Sequence, residues 1–300
     1  MRIGVDVGGT KLEAAAIDTQ GTTCVRRRVL TPKGDYVETI KAIFDLVSSI
    51  EQEIGVSHAL GFGIPGTISP ATGLVKNAYN SPFNGHPLDR DLAAQFNRPV
   101  RFMNDANCFA LSEAKDGAGA GYGIVFGAIL GTGCGSGITV NGELLTGGNA
   151  ISGEWGHNPL PWPTTDELPG LECDCGKLSC IETFLSGTGL ERQHAELTAD
   201  RITAKEIVTL AESGNAQAER SLALYEGRLA RALASIINVI DPNVIVLGGG
   251  LSNVDRLYEN VPKLWSQWVF SDQVDTQLLR PKFGDSSGVR GAAWLWAEGE

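Results

Sequence analysis

The stretch Ile3-Gly4-Val5-Asp6-Val7-Gly8-Gly9-Thr10-Lys11, continued by an apolar run from Leu12 to Ile17 and the turn Thr19-Gln20-Gly21, decides how this chain is read. It spells strand, glycine turn, strand. Asp6 stands at the end of the first strand, directly before two glycines. Glycine lets backbone N–H groups approach a phosphate, and Asp6 is placed to hold Mg²⁺ directly or through water. Taken alone the motif is weak evidence, because an ordinary β-hairpin explains the same residues.

The device returns after about 120 residues. Ile124 to Leu130 runs into Gly131-Thr132-Gly133-Cys134-Gly135-Ser136-Gly137, then Ile138-Thr139-Val140 and the turn Asn141-Gly142. The echo predicts two related α/β halves, each opening with a hairpin whose turn faces a common cleft. Two glycine-hydroxyl turns suit a polyphosphate held between the halves. Neither has the Walker spacing of a P-loop. A third glycine run, Gly248-Gly249-Gly250 at the end of the strand Val244 to Leu247, offers a surface free of side chains for a flat ring; it also reads as a plain helix-entry turn.

Between these motifs strands and helices alternate. Val37, Ile40, Ile43, Phe44, Val47, Ile50 and Ile54 share one helix face. Leu60 to Ile64 and Val100 to Met103 read as strands, and Ala106 to Ala114 as a helix. A long stripe from Leu222 to Ile240 is stopped by Asp241-Pro242, since proline cannot continue the hydrogen-bond ladder. Gly117 to Gly121 is the hinge candidate. At 300 residues the chain is long enough for two domains: an N-terminal lobe over 1–118 joined by a C-terminal helix over 287–300, and a larger lobe over 119–286.

A net charge of −11 argues against nucleic acid and anionic lipid as partners. The one dense basic run, Arg26-Arg27-Arg28, lies in a predicted strand and is expected to be a solvated edge. Met1 to Asp6 lacks the apolar core of a signal peptide and no apolar run is long enough to span a bilayer, so a cytoplasmic protein is expected. His58, His86 and His194 have no partner pattern and are expected at the surface. Trp155 and Trp162 are of a type that stacks on sugars, whereas Trp294 and Trp296 are expected to pack within the C-terminal helix.

Cys173, Cys175 and Cys180 gather three thiols in one short segment, with Gly176 allowing a sharp turn. In a reducing compartment such a cluster reads as metal ligands before disulfides. His157 would complete a closed Cys₃His zinc site of the structural kind. A disulfide and unliganded thiols are the alternatives. Cys24, Cys108 and Cys134 read as core residues. At the strand-to-helix junction Asn104-Asp105-Ala106-Asn107, Asp105 is of a type that caps helices.

In order along nearly the whole chain, Asp6-x-Gly8-Gly9-Thr10-Lys11, Gly131-Thr132-Gly133-x-Gly135-x-Gly137, Gly153-Glu154-Trp155-Gly156-His157, Cys173-x-Cys175-Gly176-x-x-x-Cys180 and Gly248-Gly249-Gly250 resemble the ROK family of bacterial sugar kinases and repressors. Gly153 to Trp162 and Gly284 to Gly291 look closest to the fructokinases, or manno(fructo)kinases, with the N-acetylglucosamine kinases next. The resemblance implies two actin-like, ribonuclease H-like ATPase lobes around a central cleft, with a small zinc-bound loop. It implies ATP-dependent phosphorylation of a hexose at its 6-hydroxyl, fructose first, with mannose, glucose and N-acetylglucosamine behind it.

It further implies Asp105 as catalytic base. Asn104, Glu154, His157, Glu182, Gly66 and Asn80 would hold the sugar. Asp6, Gly8, Gly9, Thr10, Lys11, Gly131, Thr132, Gly133, Gly135, Gly249 and Gly250 would hold ATP and Mg²⁺. His157, Cys173, Cys175 and Cys180 would hold Zn²⁺, and a homodimer is expected. The family's repressors carry a helix-turn-helix segment ahead of this fold, and here the first glycine turn begins at Gly8. A non-catalytic sugar-binding regulator is the alternative of a different class.

Overall fold

A computed structural model of the chain describes residues 1–56, 59–79, 81–284 and 287–297. In chain order the elements are β1 (Arg2–Val7), β2 (Lys11–Ile17), β3 (Thr23–Leu30), α1 (Tyr36–Ile54), β4 (Ala59–Ile64), β5 (Thr67–Ile68), β6 (Val75–Lys76), α2 (Leu88–Phe96), β7 (Arg101–Asn104) and α3 (Asp105–Lys115). They continue with β8 (Ile124–Leu130), β9 (Cys134–Val140), β10 (Glu143–Leu144), α4 (Ile181–Leu185), α5 (Gly187–Thr198), α6 (Ala204–Glu212), α7 (Ala216–Ile240), β11 (Val244–Gly248), α8 (Arg256–Trp265), β12 (Gln277–Leu279) and α9 (Ser287–Ala293). The chain forms two compact units, Met1–Gly121 with Gly137–Ser152 and Lys282–Glu300, and Tyr122–Ser136 with Gly153–Pro281.

The first sheet has the order β3-β2-β1-β4-β7. The β1-β2-β3 meander is antiparallel, and β1, β4 and β7 run parallel. The second sheet, β10-β9-β8-β11-β12, repeats the plan, with β8, β11 and β12 parallel on one side and β9 and β10 on the other. The echo between the two glycine turns is thus an echo of whole sheets, and the fold is α/β with two sheet-bearing lobes. Active residues of such folds gather at the carboxyl ends of the parallel strands. Both glycine turns lie there, after β1 and β8.

In the first unit Ile3, Val5, Leu60 and Phe62 of the sheet pack against Ile43, Val47 and Ile50 of α1, the face predicted from periodicity. Asp35 caps that helix, its side chain accepting from the Glu38 amide. The other face receives α9. A Cβ on Gly61 would stand 1.9 Å from Ala292 O, and one on Gly291 1.7 Å from Cys108 O, so only glycine lets β4, α9 and α3 approach this closely.

Several expectations change. β3 is an edge strand, but its arginines are paired: Arg26 and Arg28 flank the fully buried Glu13, and Arg27 meets Glu53 at 2.8 Å. The C-terminal helix ends at Ala293, so Trp294 and Trp296 follow it. Arg2 stacks on Trp294, Arg101 on Trp296, and Trp296 Nε1 donates to Leu60 O. His194 is buried, its Nδ1 2.9 Å from Ser221 Oγ, and His86 stacks on Tyr36. Cys24 is exposed, whereas Cys108 and Cys134 are buried. His58 lies outside the described residues. Among the described residues no helix is long and apolar enough to cross a membrane.

Candidate active site

The chemistry-bearing side chains fall into two groups, one in each unit. In the first unit the hairpin turn carries Gly8, Gly9, Thr10 and Lys11, the last three exposed. The Gly8 amide donates to Lys11 O at 3.0 Å, and Thr31 Oγ1 donates to Gly8 O at 2.7 Å, which fixes the turn from behind. Asp6, beneath it, has its carboxyl pushed up to about 7 by burial, then by the negative charges of Asp105 and Glu13. Asp6 and Asp105, far apart in sequence, therefore share one electrostatic neighbourhood.

At the β7–α3 junction the capping residue is Asn104, not Asp105. Asn104 Oδ1 accepts from the Ala106 amide at 2.9 Å, and its Nδ2 donates to Gly66 O at 3.2 Å. Asp105 is the first helical residue, exposed, with Oδ1 accepting from the Ala106 amide at 2.8 Å. Its exposure at the helix N-terminus leaves the carboxylate reachable. Asn80 lies outside the described residues.

In the second unit a cavity of about 740 Å³ is lined by Gly131, Thr132, Gly250 and, among residues not singled out in the sequence, Gly187, Thr188 and Asn253. That is ample for a mononucleotide. Gly249 supports this cavity without lining it: its φ is 77°, and a Cβ would stand 2.5 Å from Leu130 O, so it lets the ends of β11 and β8 close up. Ser186 caps α5, accepting from the Gly189 amide at 3.0 Å, and Thr188 Oγ1 donates to Thr132 O at 3.2 Å. The N-terminus of α5 abuts the glycine turn, a favourable setting for phosphate.

Glu182 stands beside the turn, its Oε2 accepting from the Cys134 amide at 2.8 Å, and Gly156, between Glu154 and His157 in sequence, packs on the Cys134 carbonyl. Glu154 precedes the 3₁₀ turn Trp155–His157. Trp155 is core: it packs edge-on against Phe126 and donates to Gly135 O at 3.1 Å. Trp162 is half-exposed and stacked on Trp268. Ligand atoms of His157, Cys173, Cys175 and Cys180 all lie within 4.8 Å of one another. His157 Nδ1 is 3.5 Å from Cys173 Sγ, and Cys175 Sγ is 3.5 Å from Cys180 Sγ. The edge of a tetrahedral Zn–S/N site with bonds of about 2.0 to 2.3 Å has this length. All six cysteines are free in the structure. The donor set fits zinc.

The sequence profile of the ROK family matches residues 2–299. The chain is 39% identical to an N-acetyl-D-glucosamine kinase of Haemophilus influenzae over 301 aligned residues, 99% of each chain. Its fold superposes on a ROK hexokinase of Thermus thermophilus with a TM-score of 0.86 at 31% identity, covering 97% of this chain and 96% of that one. It superposes on a ROK family glucokinase of Streptomyces griseus, solved with glucose and AMPPNP, with a TM-score of 0.82 at 29% identity over 98% of each chain. The expectation that fructokinases would stand nearest is not met by these relatives. Matched by one profile almost from end to end and by solved members of the same α/β actin-like fold, the chain belongs to the ROK family.

Proposed function

We propose that this protein is an ATP-dependent kinase that phosphorylates N-acetylglucosamine on its 6-hydroxyl. The observation that carries the acceptor is the 39% identity to the N-acetyl-D-glucosamine kinase of H. influenzae over 99% of both chains. Fructose, first in the sequence reading, gives way to this sugar, with glucose second on the strength of the S. griseus likeness. The nucleotide reading is supported by the cavity where Gly131, Thr132 and Gly250 meet the N-terminus of α5.

In this reading Asp105 accepts the proton of the sugar's 6-hydroxyl as that oxygen attacks the γ-phosphorus. The O6–P bond forms, the bond to the bridging oxygen breaks, and ADP leaves with the electron pair. Asn104, Glu154 and His157 hold sugar hydroxyls, with Gly66, whose carbonyl Asn104 touches, and Asn80 in the same role. Asp6, Gly8, Gly9, Thr10 and Lys11 receive the phosphate end of ATP. Asp6, Asp105 and buried Glu13 crowd negative charge together, and Mg²⁺ at Asp6 would offset it and neutralise phosphate charge. Zinc on His157, Cys173, Cys175 and Cys180 would fix the loop that carries His157, leaving Nε2 of that ring for sugar. Coupled ADP release over a panel of hexoses tests the acceptor. The expected order of kcat/KM is N-acetylglucosamine, then glucose and mannose, then fructose; fructose leading the panel would overturn the assignment.

A further inference from the structure

The family resemblance implies that Glu182 holds a sugar hydroxyl, yet its surroundings tie it to the turn beside the proposed nucleotide cavity. Oε2 accepts from the Cys134 amide at 2.8 Å, at the closing edge of the turn Gly131-Thr132-Gly133. A Cβ on Gly133 would stand 2.6 Å from that same oxygen, so the absence of a side chain at Gly133 is what admits the carboxylate. Oε1 lies 3.7 Å from Cys173 Sγ. An ionised acceptor on a backbone amide makes one of the stronger hydrogen bonds available to a turn.

Glu182 does not act alone. It sits in the first turn of α4, whose N-cap is Cys180. Beyond α4 the Gly187 amide donates to Gly131 O at 2.7 Å, and Thr188 Oγ1 donates to Thr132 O at 3.2 Å. The segment from Glu182 to Thr188 thus grips the turn at three residues, Gly131, Thr132 and Cys134. Two of the grips hold carbonyls, which orients the peptide planes; the Glu182 grip alone holds an amide, and it is the one that also touches the cysteine cluster.

We propose that Glu182 is a positioning residue for the phosphate-binding turn, setting nucleotide affinity by holding the Cys134 amide. The inference rests on the reading of the cavity beside Gly131 as the nucleotide site. Calorimetric titration with ADP in the absence of sugar tests it, with the thermal midpoint recorded for each variant. Gly250 has open space around a would-be Cβ, so Gly250→Val fills the cavity without backbone strain and reports on the site itself. It is expected to weaken ADP at least about tenfold; unchanged affinity would sink the nucleotide-site reading, and this inference with it.

Given that control, Glu182→Ala is expected to weaken ADP about tenfold, on the scale of one charge-assisted hydrogen bond. Glu182→Gln, whose amide oxygen still accepts from Cys134, is expected to recover most of the loss. Gly133→Ala displaces the carboxylate and is expected to cost a similar factor in the wild-type background and almost nothing in Glu182→Ala, as coupled residues do. Wild-type ADP affinity in Glu182→Ala, or an equal cost of Gly133→Ala in both backgrounds, would overturn the proposal and leave Glu182 as a sugar ligand only.

Discussion

Replacing Asp105 by asparagine keeps an oxygen for the Ala106 amide and leaves the Asn104 cap in place, so α3 has no reason to fray. What is lost is the ionised oxygen. Turnover of Asp105→Asn is expected to fall about 10²- to 10⁴-fold in steady-state ADP release, the scale of a general base, with the thermal midpoint within a degree or two of wild type. A near-normal kcat would remove Asp105 from the mechanism. The junction also shows where residue-level reading runs out. Asn and Asp both cap helices well, and the order Asn104-Asp105 does not say which one does; the structure gives the cap to Asn104.

At the scale of elements, the loop bearing the cysteines is held to α7 by charge. Burial pushes the Glu167 carboxyl up, but hydrogen bonds from Arg231 and Arg228 and from the Thr164 amide more than cancel this and bring it to about 2. A folded pKa below the unfolded value means stability fully present above about pH 4.5 and lost as pH falls toward about 2, worth about 3 kcal/mol at neutrality. Glu167→Gln is therefore expected to lower the urea midpoint at pH about 7, with the gap to wild type narrowing as pH falls from about 5 to about 3. A gap independent of pH would refute the ion-pair account. The same loop is expected to carry about one zinc per chain by elemental analysis after purification without added metal, and chelation to lower the melting temperature, because binding and folding are coupled. Metal-free protein with an unchanged melting temperature would contradict this.

Elements also mark what the sequence made legible. The hairpins around Gly8 and Gly131 and the helix faces of α1 and α7 were readable because period and turn chemistry are local. Gly187-Thr188 was not singled out, although Gly187-Thr188-Gly189 repeats the tripeptide Gly131-Thr132-Gly133 that it touches; a search for repeated glycine-hydroxyl turns would have found it. His194 was misread because its partner Ser221 lies on another helix, and no local pattern announces a contact between helices. The close passage of α9 over Gly61 was hidden for the same reason.

At the scale of the whole molecule, the chain first leaves the first unit after Gly121 and returns to it for the last time at Lys282. Fully buried Glu113 holds residues near both points: Oε2 accepts from the Ala118 amide at 2.8 Å and the Lys282 amide at 3.1 Å, and Oε1 from Ser287 Oγ at 2.7 Å. In Glu113→Leu the Ala118 and Lys282 amides lose their acceptor, which should cost about 1 to 3 kcal/mol and appear as a lower thermal midpoint; an unchanged midpoint would show that the triple acceptor is dispensable. The central claim concerns the reaction itself, and phosphorus NMR of the product reads it most directly. With ATP, Mg²⁺ and N-acetylglucosamine, one sugar phosphate substituted at O6 is expected for each ADP formed, and neither species without the sugar. ADP accumulating at the same rate without sugar, or phosphate on another oxygen, would contradict the account.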